Sequence, residues 1–275
     1  MGCDDIPSAT VTSIAQLVET VAKDAAGWEP VRPWFRGEPG GTNSPLTPMV
    51  FRVPRNQYHF DNSPKTGFHY DENNLLQTFR RRAHLTGLPI VPTRHETDKW
   101  LFLARHVGLP TRLLDWSESS LVGVYFALLE EEPVVWMLNP CELNRKSAPG
   151  SLPNVFPLTW SQPEGMVNIG FANVQAAWRQ GQGELPLPVA IEPTTIHPRM
   201  NAQHSYFTVH GSDGRPLCEQ VGPSCLRRYL LDMPSLADRD RAFGELRRLG
   251  VSHSTIMPDA EALATELSRR MVVPD

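Results

Sequence analysis

A dense group of polar residues lies between two apolar runs of this chain. The segment 103–128 reads LARHVGLPTRLLDWSESSLVGVYFAL and holds His106, Arg112, Asp115 and Ser117. Packing alone does not explain so many polar groups at one place, because such side chains are usually exposed. Their types are suited to binding an anion or to acid–base chemistry. The segment is therefore the first candidate for a functional site.

A second polar group lies about seventy residues upstream, in the run Trp34-Phe35-Arg36-Gly37-Glu38. Arg36 presents a rigid fork of donors that matches a phosphate or a carboxylate. Gly37 allows a ligand to approach the main chain closely, and Phe35 is a possible ring wall. The alternative is that Arg36 ties down a loop carbonyl or pairs with Glu38. We expect the two polar groups to meet in one pocket.

The residues from Thr111 to Ser117 precede a predicted helix, whose N-terminus offers free N–H groups and partial positive charge. Together with Arg112 they predict an anion site. Asp115 would repel an anion, so it either pairs with an arginine, orients one, or stabilises a developing positive charge. Trp116 is either a core residue or a stacking wall for a flat ring.

Three further residues are candidates for catalysis. His106 is either a general acid–base group or a hydrogen-bonded structural histidine. Gln203 precedes a predicted strand. It either binds a ribose or an amide group of a ligand or is an ordinary polar residue at the start of a strand. Glu219 is the next carboxylate downstream. The sequence contains no metal-ligand spacing, no nucleophile elbow, and no phosphate-binding or dinucleotide-binding glycine pattern. We therefore expect no metal site.

Hydrophobic periodicity and capping residues predict the elements that position these side chains. We expect helices at 9–25, 71–86, 97–107, 117–131, 172–180, 236–249 and 258–270, and strands at 31–37, 133–138, 189–191, 206–209 and 251–256. These elements predict an α+β fold with a split, mostly antiparallel central sheet flanked by helices. Residues 1–12 are expected to be an N-terminal tail and 13–270 a single domain, with a helix–strand–helix portion at 215–270.

Composition narrows the class of protein. The 275 residues are 40% hydrophobic and 20% charged, with a net charge of −4. This balance is ordinary for a globular protein and disfavours backbone-driven nucleic-acid binding, although a local basic groove remains possible. No apolar run is long enough for a membrane helix. The four cysteines lack zinc spacing, so we expect free, mostly buried thiols and a cytoplasmic location.

At these residues the chain resembles the FRG domain family, named for the run seen here as Phe35-Arg36-Gly37. The family's second hallmark, H-x-G-L-P-T-R-L-L-D-W-[ST], is similar to the run from His106 to Ser117. The likeness extends over most of residues 13–268. His204-Ser205 stands where a basic-Gly pair is more usual, and Ser119-Ser120 where a proline often follows the motif.

The order of these motifs is similar to that of the ADP-ribosyltransferases. The resemblance implies an ADP-ribosyltransferase-like core, in which Arg36 holds the phosphates of NAD and the backbone of Gly37 grips nicotinamide. It implies Thr111 or Ser117 as the middle motif residue. The late glutamate of that superfamily is not evident, because Gln203 occupies its region. Asp115 or Glu219 is the candidate to supply the missing charge.

The leading hypothesis is an NAD-consuming enzyme, either an ADP-ribosyltransferase or an NAD glycohydrolase, acting as a toxin or anti-phage defence effector. NAD would be a substrate, with a protein or nucleic-acid acceptor. Its phosphates would lie on Arg36, Arg112 and the helix N-terminus at Ser117, and its nicotinamide against Trp116 or Phe35. The alternative is a non-catalytic module that binds a nucleotide or nucleic acid in the same pocket. A third option is a nuclease or hydrolase that uses His106 and Asp115.

Overall fold

A computed structural model describes residues 2–28, 30–40, 45–53, 67, 69–88, 90–147, 158–159 and 187–271 of the chain. Its strands are β1 (Ser8–Val11), β2 (Trp34–Pro39), β3 (Leu113–Ser117), β4 (Pro133–Leu138), β5 (Leu158–Thr159), β6 (Val189–Glu192), β7 (Ser205–Val209) and β8 (Leu226–Leu231). They form one sheet in the order β1-β8-β4-β2-β3-β7-β6-β5. Only the β1–β8 and β5–β6 pairings are parallel. The predicted mostly antiparallel sheet is therefore confirmed.

Helices cover both faces of this sheet. They are α1 (Ile14–Ala26), α2 (Glu72–Arg82), α3 (Thr97–His106), α4 (Ser120–Leu128), α5 (Pro140–Ser147), α6 (Pro198–Ala202), α7 (Leu217–Val221), α8 (Leu236–Arg248), α9 (His253–Ile256) and α10 (Ala260–Arg270). Helices α1, α4 and α8 pack on the half-sheet containing β2, β4 and β8, while α2 and α3 pack on β3, β6 and β7. The opposite face carries a third apolar cluster, which includes Trp34, Trp116 and Trp136.

The two halves of the sheet are joined weakly. Strands β2 and β3 share the single pair Phe35–Ser117, whereas β2 pairs with β4 along its whole length. The strands therefore separate on one side of that pair. The sheet is nevertheless continuous, and the separation opens a gap between β2 and β3.

Several boundaries differ from the predictions. The predicted helix 117–131 begins only at Ser120, because β3 continues through Ser117 and Ser119 caps the helix. The predicted strand 251–256 is wrong: Ser252 donates its N–H to Thr255 Oγ1 at 2.8 Å, and these local hydrogen bonds favour the helical turn α9. Strand β8 and helix α5 were not predicted. The helix expected at 172–180 lies outside the described residues.

The N-terminus also differs from expectation. Residues 8–11 fall in the predicted tail and in a predicted helix, but they extend the sheet as β1 beside β8. This pairing brings the chain start near α7, where Cys3 and Cys218 are joined by a disulfide with a Cα–Cα distance of 5.0 Å. The expectation of four free thiols is therefore wrong, because only Cys141 and Cys225 are free and buried.

Candidate active site

A small pocket of about 160 Å³ lies at the gap between β2 and β3. Both polar groups of the sequence contribute to it, together with α4 and the residues before β7. Its lining comprises Phe35, Arg36, Gly37, Asp115, Trp116, Ser117, Val122, Gly123, Phe126, Leu129, Glu130, Gln203 and Ser205. The expectation that the two segments meet is therefore confirmed.

Arg36 occupies the gap itself. Alternation along the strands places Arg36 on the sheet face of Trp34 and Asp115 on the opposite face. The guanidinium reaches Asp115 because the strands separate here: Nη1 lies 3.0 Å from Asp115 Oδ2 and donates to the main-chain oxygen of Asp115 at 2.9 Å. Arg36 thus donates a hydrogen bond to a main-chain carbonyl of β3 that is not paired with β2.

Glu38 fixes the other side of Arg36. The side chain of Glu38 is only 3% exposed and accepts a 2.7 Å hydrogen bond from Arg36 Nε. It also accepts from the Leu46 amide at 2.7 Å and from Arg52 Nη2 at 3.4 Å. Burial lowers the pKa of Arg36, but Asp115 and Glu38 outweigh this effect and raise the pKa above its ordinary value. Arg36 therefore carries a fixed positive charge.

Asp115 links two arginines. Arg105, in the last turn of α3, donates through Nε to Asp115 Oδ1 at 2.7 Å, and its Nη2 contacts the same oxygen. Burial raises the pKa of Asp115, but the charges of Arg105 and Arg36 hold it well below its usual value. The Asp115 side chain is nevertheless 45% exposed, whereas those of Arg36 and Arg105 are 12% and 13% exposed. An ionised carboxylate thus faces the pocket, backed by two buried cations.

Gln203 and Ser117 are further polar residues of the pocket lining. Ser117 Oγ donates to the main-chain oxygen of Gln203 at 2.7 Å and accepts from the Ser119 amide at 3.0 Å. The Gln203 amide Nε2 donates to the Ile256 carbonyl at 3.3 Å. These bonds tie β3, the start of α4 and the entry to β7 together and support the positions of Ser117 and Gln203.

Gly37 contributes to packing as well as to the pocket. A Cβ atom at Gly37 would lie 2.2 Å from the Ala127 amide nitrogen and 2.3 Å from the Gly123 carbonyl oxygen. Only a glycine allows α4 to lie this close to β2. The close approach that the sequence suggested for a ligand is used here by a helix backbone.

Thr111 and Arg112 do not line the pocket. Arg112 is buried and donates through Nε to Glu72 Oε2 at 2.8 Å, while its amide donates to Glu72 Oε1 at 2.7 Å. Thr111 is 1% exposed. The expectation that Arg112 and Arg36 surround one anion is therefore wrong, because Glu72 of α2 already holds the Arg112 guanidinium. The second guanidinium that contacts Asp115 belongs to Arg105, which lies behind this carboxylate and not on the pocket lining.

The aromatic wall also differs from the prediction. The Trp116 side chain is buried in the core and donates through Nε1 to Thr208 Oγ1 at 3.2 Å. Phe35 is buried against α4. Neither ring is open enough to stack on a ligand. The half-buried Phe126 of α4, which sequence reasoning missed, is the aromatic side chain available at the pocket.

His106 and Glu219 lie away from the pocket lining. Burial and the neighbouring His197 lower the pKa of His106 to about 4, and the ring centroids are 4.9 Å apart. Its Nε2 is buried and has no hydrogen-bond partner among the residues that the structure describes. Glu219 lines a larger cavity of about 760 Å³, together with Glu131 and Asp232. Neither residue is placed to act on a ligand beside Arg36.

Sequence reasoning missed two charged residues of the site. Arg105 stands beside His106 in the motif, but nothing in its spacing distinguishes it from Arg112 as the partner of Asp115. Glu130 comes after the C-cap residue Leu129 of α4 and lines the pocket. The sequence feature that could have indicated Glu130 is its position two residues after α4, the apolar helix that follows the motif. Both assignments required the tertiary arrangement.

Metal and membrane features are absent from the described parts of the chain. No group of three or more His, Cys, Asp or Glu residues there could hold a metal ion, and no helix there is long and apolar enough to cross a bilayer.

The comparisons with known proteins agree with the motifs. The family model of the FRG domain matches residues 32–134, which include Arg36, Arg105, Asp115 and Glu130. No curated protein and no solved structure is similar enough to this chain to be matched.

Proposed function

With residues 32–134 belonging to the FRG domain family, we propose that the protein consumes NAD as an ADP-ribosyltransferase or NAD glycohydrolase. One observation carries this proposal: Arg36, Ser117 and Gln203, from or beside three neighbouring strands, line a single pocket. The three positions are those that the likeness to ADP-ribosyltransferases assigns to the early arginine, the middle serine and the late polar residue. The strand order β2-β3-β7 supports an ADP-ribosyltransferase-like core.

The charges of the site are suited to the diphosphate of NAD. Arg36, Arg52 and Arg105 carry three positive charges, and Asp115 and Glu38 carry two negative ones. The cluster keeps an excess of positive charge in a partly desolvated place, where its attraction for an anion is stronger than in water. Arg36 and Arg105 are therefore the residues we assign to the phosphates.

The pocket volume is suited to one ring of NAD. About 160 Å³ is less than the roughly 300–1,000 Å³ of pockets that enclose a whole small molecule. We assign the nicotinamide to this volume, against Phe126 and Val122, with the ribose at Gln203 and Ser117. The rest of the dinucleotide would lie along the open side, where Asp115 is exposed.

A second candidate, a non-catalytic nucleotide-binding module, is favoured by the state of Asp115. Two arginines neutralise this carboxylate, and Gln203 is a neutral amide, so neither is suited to stabilising a ribosyl cation. Such a site would bind NAD or ADP-ribose without turnover.

Purified full-length protein incubated with NAD tests the proposal. We expect release of nicotinamide, measured by chromatography, and loss of release in Arg36→Lys, which keeps the charge but not the fork that bridges Glu38 and Asp115. Arg241→Ala, at an exposed position of α8, is the control and should keep the activity. Binding of NAD by calorimetry without release, with or without acceptors, would favour the module. Neither binding nor release would overturn both candidates.

An enzyme that consumes NAD would be harmful to the cell in which it is active. The proposal therefore extends to a role as a toxin or anti-phage effector. Induced expression with measurement of cellular NAD tests this extension: NAD should fall in cells that express the wild type and stay constant with Arg36→Lys.

A further inference from the structure

Glu130 is the second carboxylate of the pocket. It follows α4, its side chain is exposed, and it lines the pocket together with Phe126 and Gln203. Among the residues that the structure describes, none forms a hydrogen bond or ion pair with the Glu130 side chain, whereas Asp115 binds two arginines. Glu130 is therefore the pocket carboxylate whose negative charge is not already neutralised.

The proposed reaction needs such a charge. The bond between nicotinamide and C1′ of the ribose breaks, and its electron pair leaves with the now neutral nicotinamide. The ribose is left as a cation that is shared between C1′ and the ring oxygen. Water then adds to C1′ and releases a proton, which gives ADP-ribose. A carboxylate beside the ribose stabilises the cation, whereas the neutral amide of Gln203 cannot do so to the same extent.

We propose that Glu130 is a catalytic residue that stabilises the ribosyl cation. This inference rests on the proposed NAD-consuming function. The exposure of Glu130 in the free protein is compatible with the role, because bound NAD would displace water from the pocket. The attraction between the carboxylate and the cation becomes stronger as the surroundings become less polar.

The neighbouring acidic residues provide matched controls. Glu131 and Glu132 follow Glu130 directly, but they line the larger cavity on the other side of β4 and not this pocket. The three residues have the same charge and lie on the same connection between α4 and β4. A general effect of charge in this segment would therefore change variants of Glu130 and of Glu131 alike, whereas a role at the ribose is specific to Glu130.

The experiment compares wild type, Glu130→Gln and Glu131→Gln as full-length proteins. Nicotinamide release gives kcat and KM, calorimetry gives the affinity for NAD, and thermal unfolding verifies the fold. We expect Glu130→Gln to lower kcat on the order of 100-fold, with the affinity for NAD and the unfolding temperature unchanged. Glu131→Gln should match the wild type in all three measurements.

The outcomes separate this inference from the proposed function. An active wild type with an equally active Glu130→Gln would overturn the role of Glu130 and leave the proposed function standing. A Glu131→Gln variant with the same loss as Glu130→Gln would also overturn it. A wild type that binds NAD and releases no nicotinamide would overturn the NAD-consuming function, and the inference with it.

Discussion

Arg36 and Arg112 are both buried arginines held by a carboxylate, yet they differ in what surrounds them. The Arg112–Glu72 pair is closed, because its side chains are 8% and 12% exposed. Arg36 is also buried, but its partner Asp115 is 45% exposed and opens into a pocket. The first pair joins α2 to the start of β3, whereas the second lies in the gap between two strands.

This difference shows that two charged residues of one motif have different roles. Arg112 and Asp115 are three residues apart in the run T-R-L-L-D-W. Arg112 precedes β3 and pairs with Glu72 of α2, whereas Asp115 lies within β3 beside the gap. Buried ion pairs are poor indicators of function by themselves. The pair with one open carboxylate and an excess of nearby cations is the one that can accept a ligand.

The largest expected effect comes from Arg36→Ala. The change removes the cation between Glu38 and Asp115, and within the described part of the chain it leaves the buried Glu38 with Arg52, at 3.4 Å, as its ionic partner. We expect the affinity for NAD to fall on the order of 100-fold or more. The free energy of unfolding should fall by about 3 kcal/mol, because a buried carboxylate loses its partner. Calorimetry and urea unfolding measure both. If the variant bound NAD with the affinity of the wild type, Arg36 would not be part of the binding site.

Arg112→Ala should affect stability alone. The loss of the guanidinium leaves Glu72 unpaired in a buried place, and we expect a loss of about 3 kcal/mol in urea unfolding. The affinity for NAD should stay unchanged, since Arg112 does not line the pocket. Glu72→Ala is the matched control, and the double variant should lose less than the sum of the two. A loss of NAD affinity in folded Arg112→Ala would contradict the comparison.

The smallest expected effect is the pH dependence that Asp115 adds to stability. Its pKa is lowered in the folded protein, so its stabilising contribution is complete above its unfolded pKa and is lost as the pH falls through lower values. The stability difference between wild type and Asp115→Asn should be constant above about pH 4 and narrow below it. Solvent screening keeps the effect modest, because the side chain is 45% exposed.

Urea unfolding at a series of pH values from neutral to acidic measures this difference. Asp4→Asn is a control at a fully open position, since the Asp4 side chain is 96% exposed. If the difference in unfolding free energy between wild type and Asp115→Asn stayed constant at low pH, the arginines would not be holding Asp115 ionised.

Local patterns predicted much of the scaffold. The apolar run Pro133–Leu138 is β4 with the predicted bounds, and the bounds of α3 and α8 agree to within a residue at each end. These segments are long or strongly periodic, so that local preference and burial favour the same structure. The predictions were wrong where contacts with a distant segment decide the local structure. Residues 8–11, for example, form strand β1 because they lie beside β8.

The candidate site, like the scaffold, has features that the sequence predicts and features that only the tertiary structure determines. The sequence by itself predicted which segments meet, because Phe35-Arg36-Gly37 and the run from His106 to Ser117 are both dense in polar groups and both lie within the family match. It could not determine that Asp115 binds Arg105 and not Arg112, or that Glu130 borders the pocket. Those choices depend on where α3 and α4 lie on the sheet and on the separation of β2 from β3. Ion pairs between distant segments are set by tertiary geometry, since charge and spacing alone leave several partners equally possible.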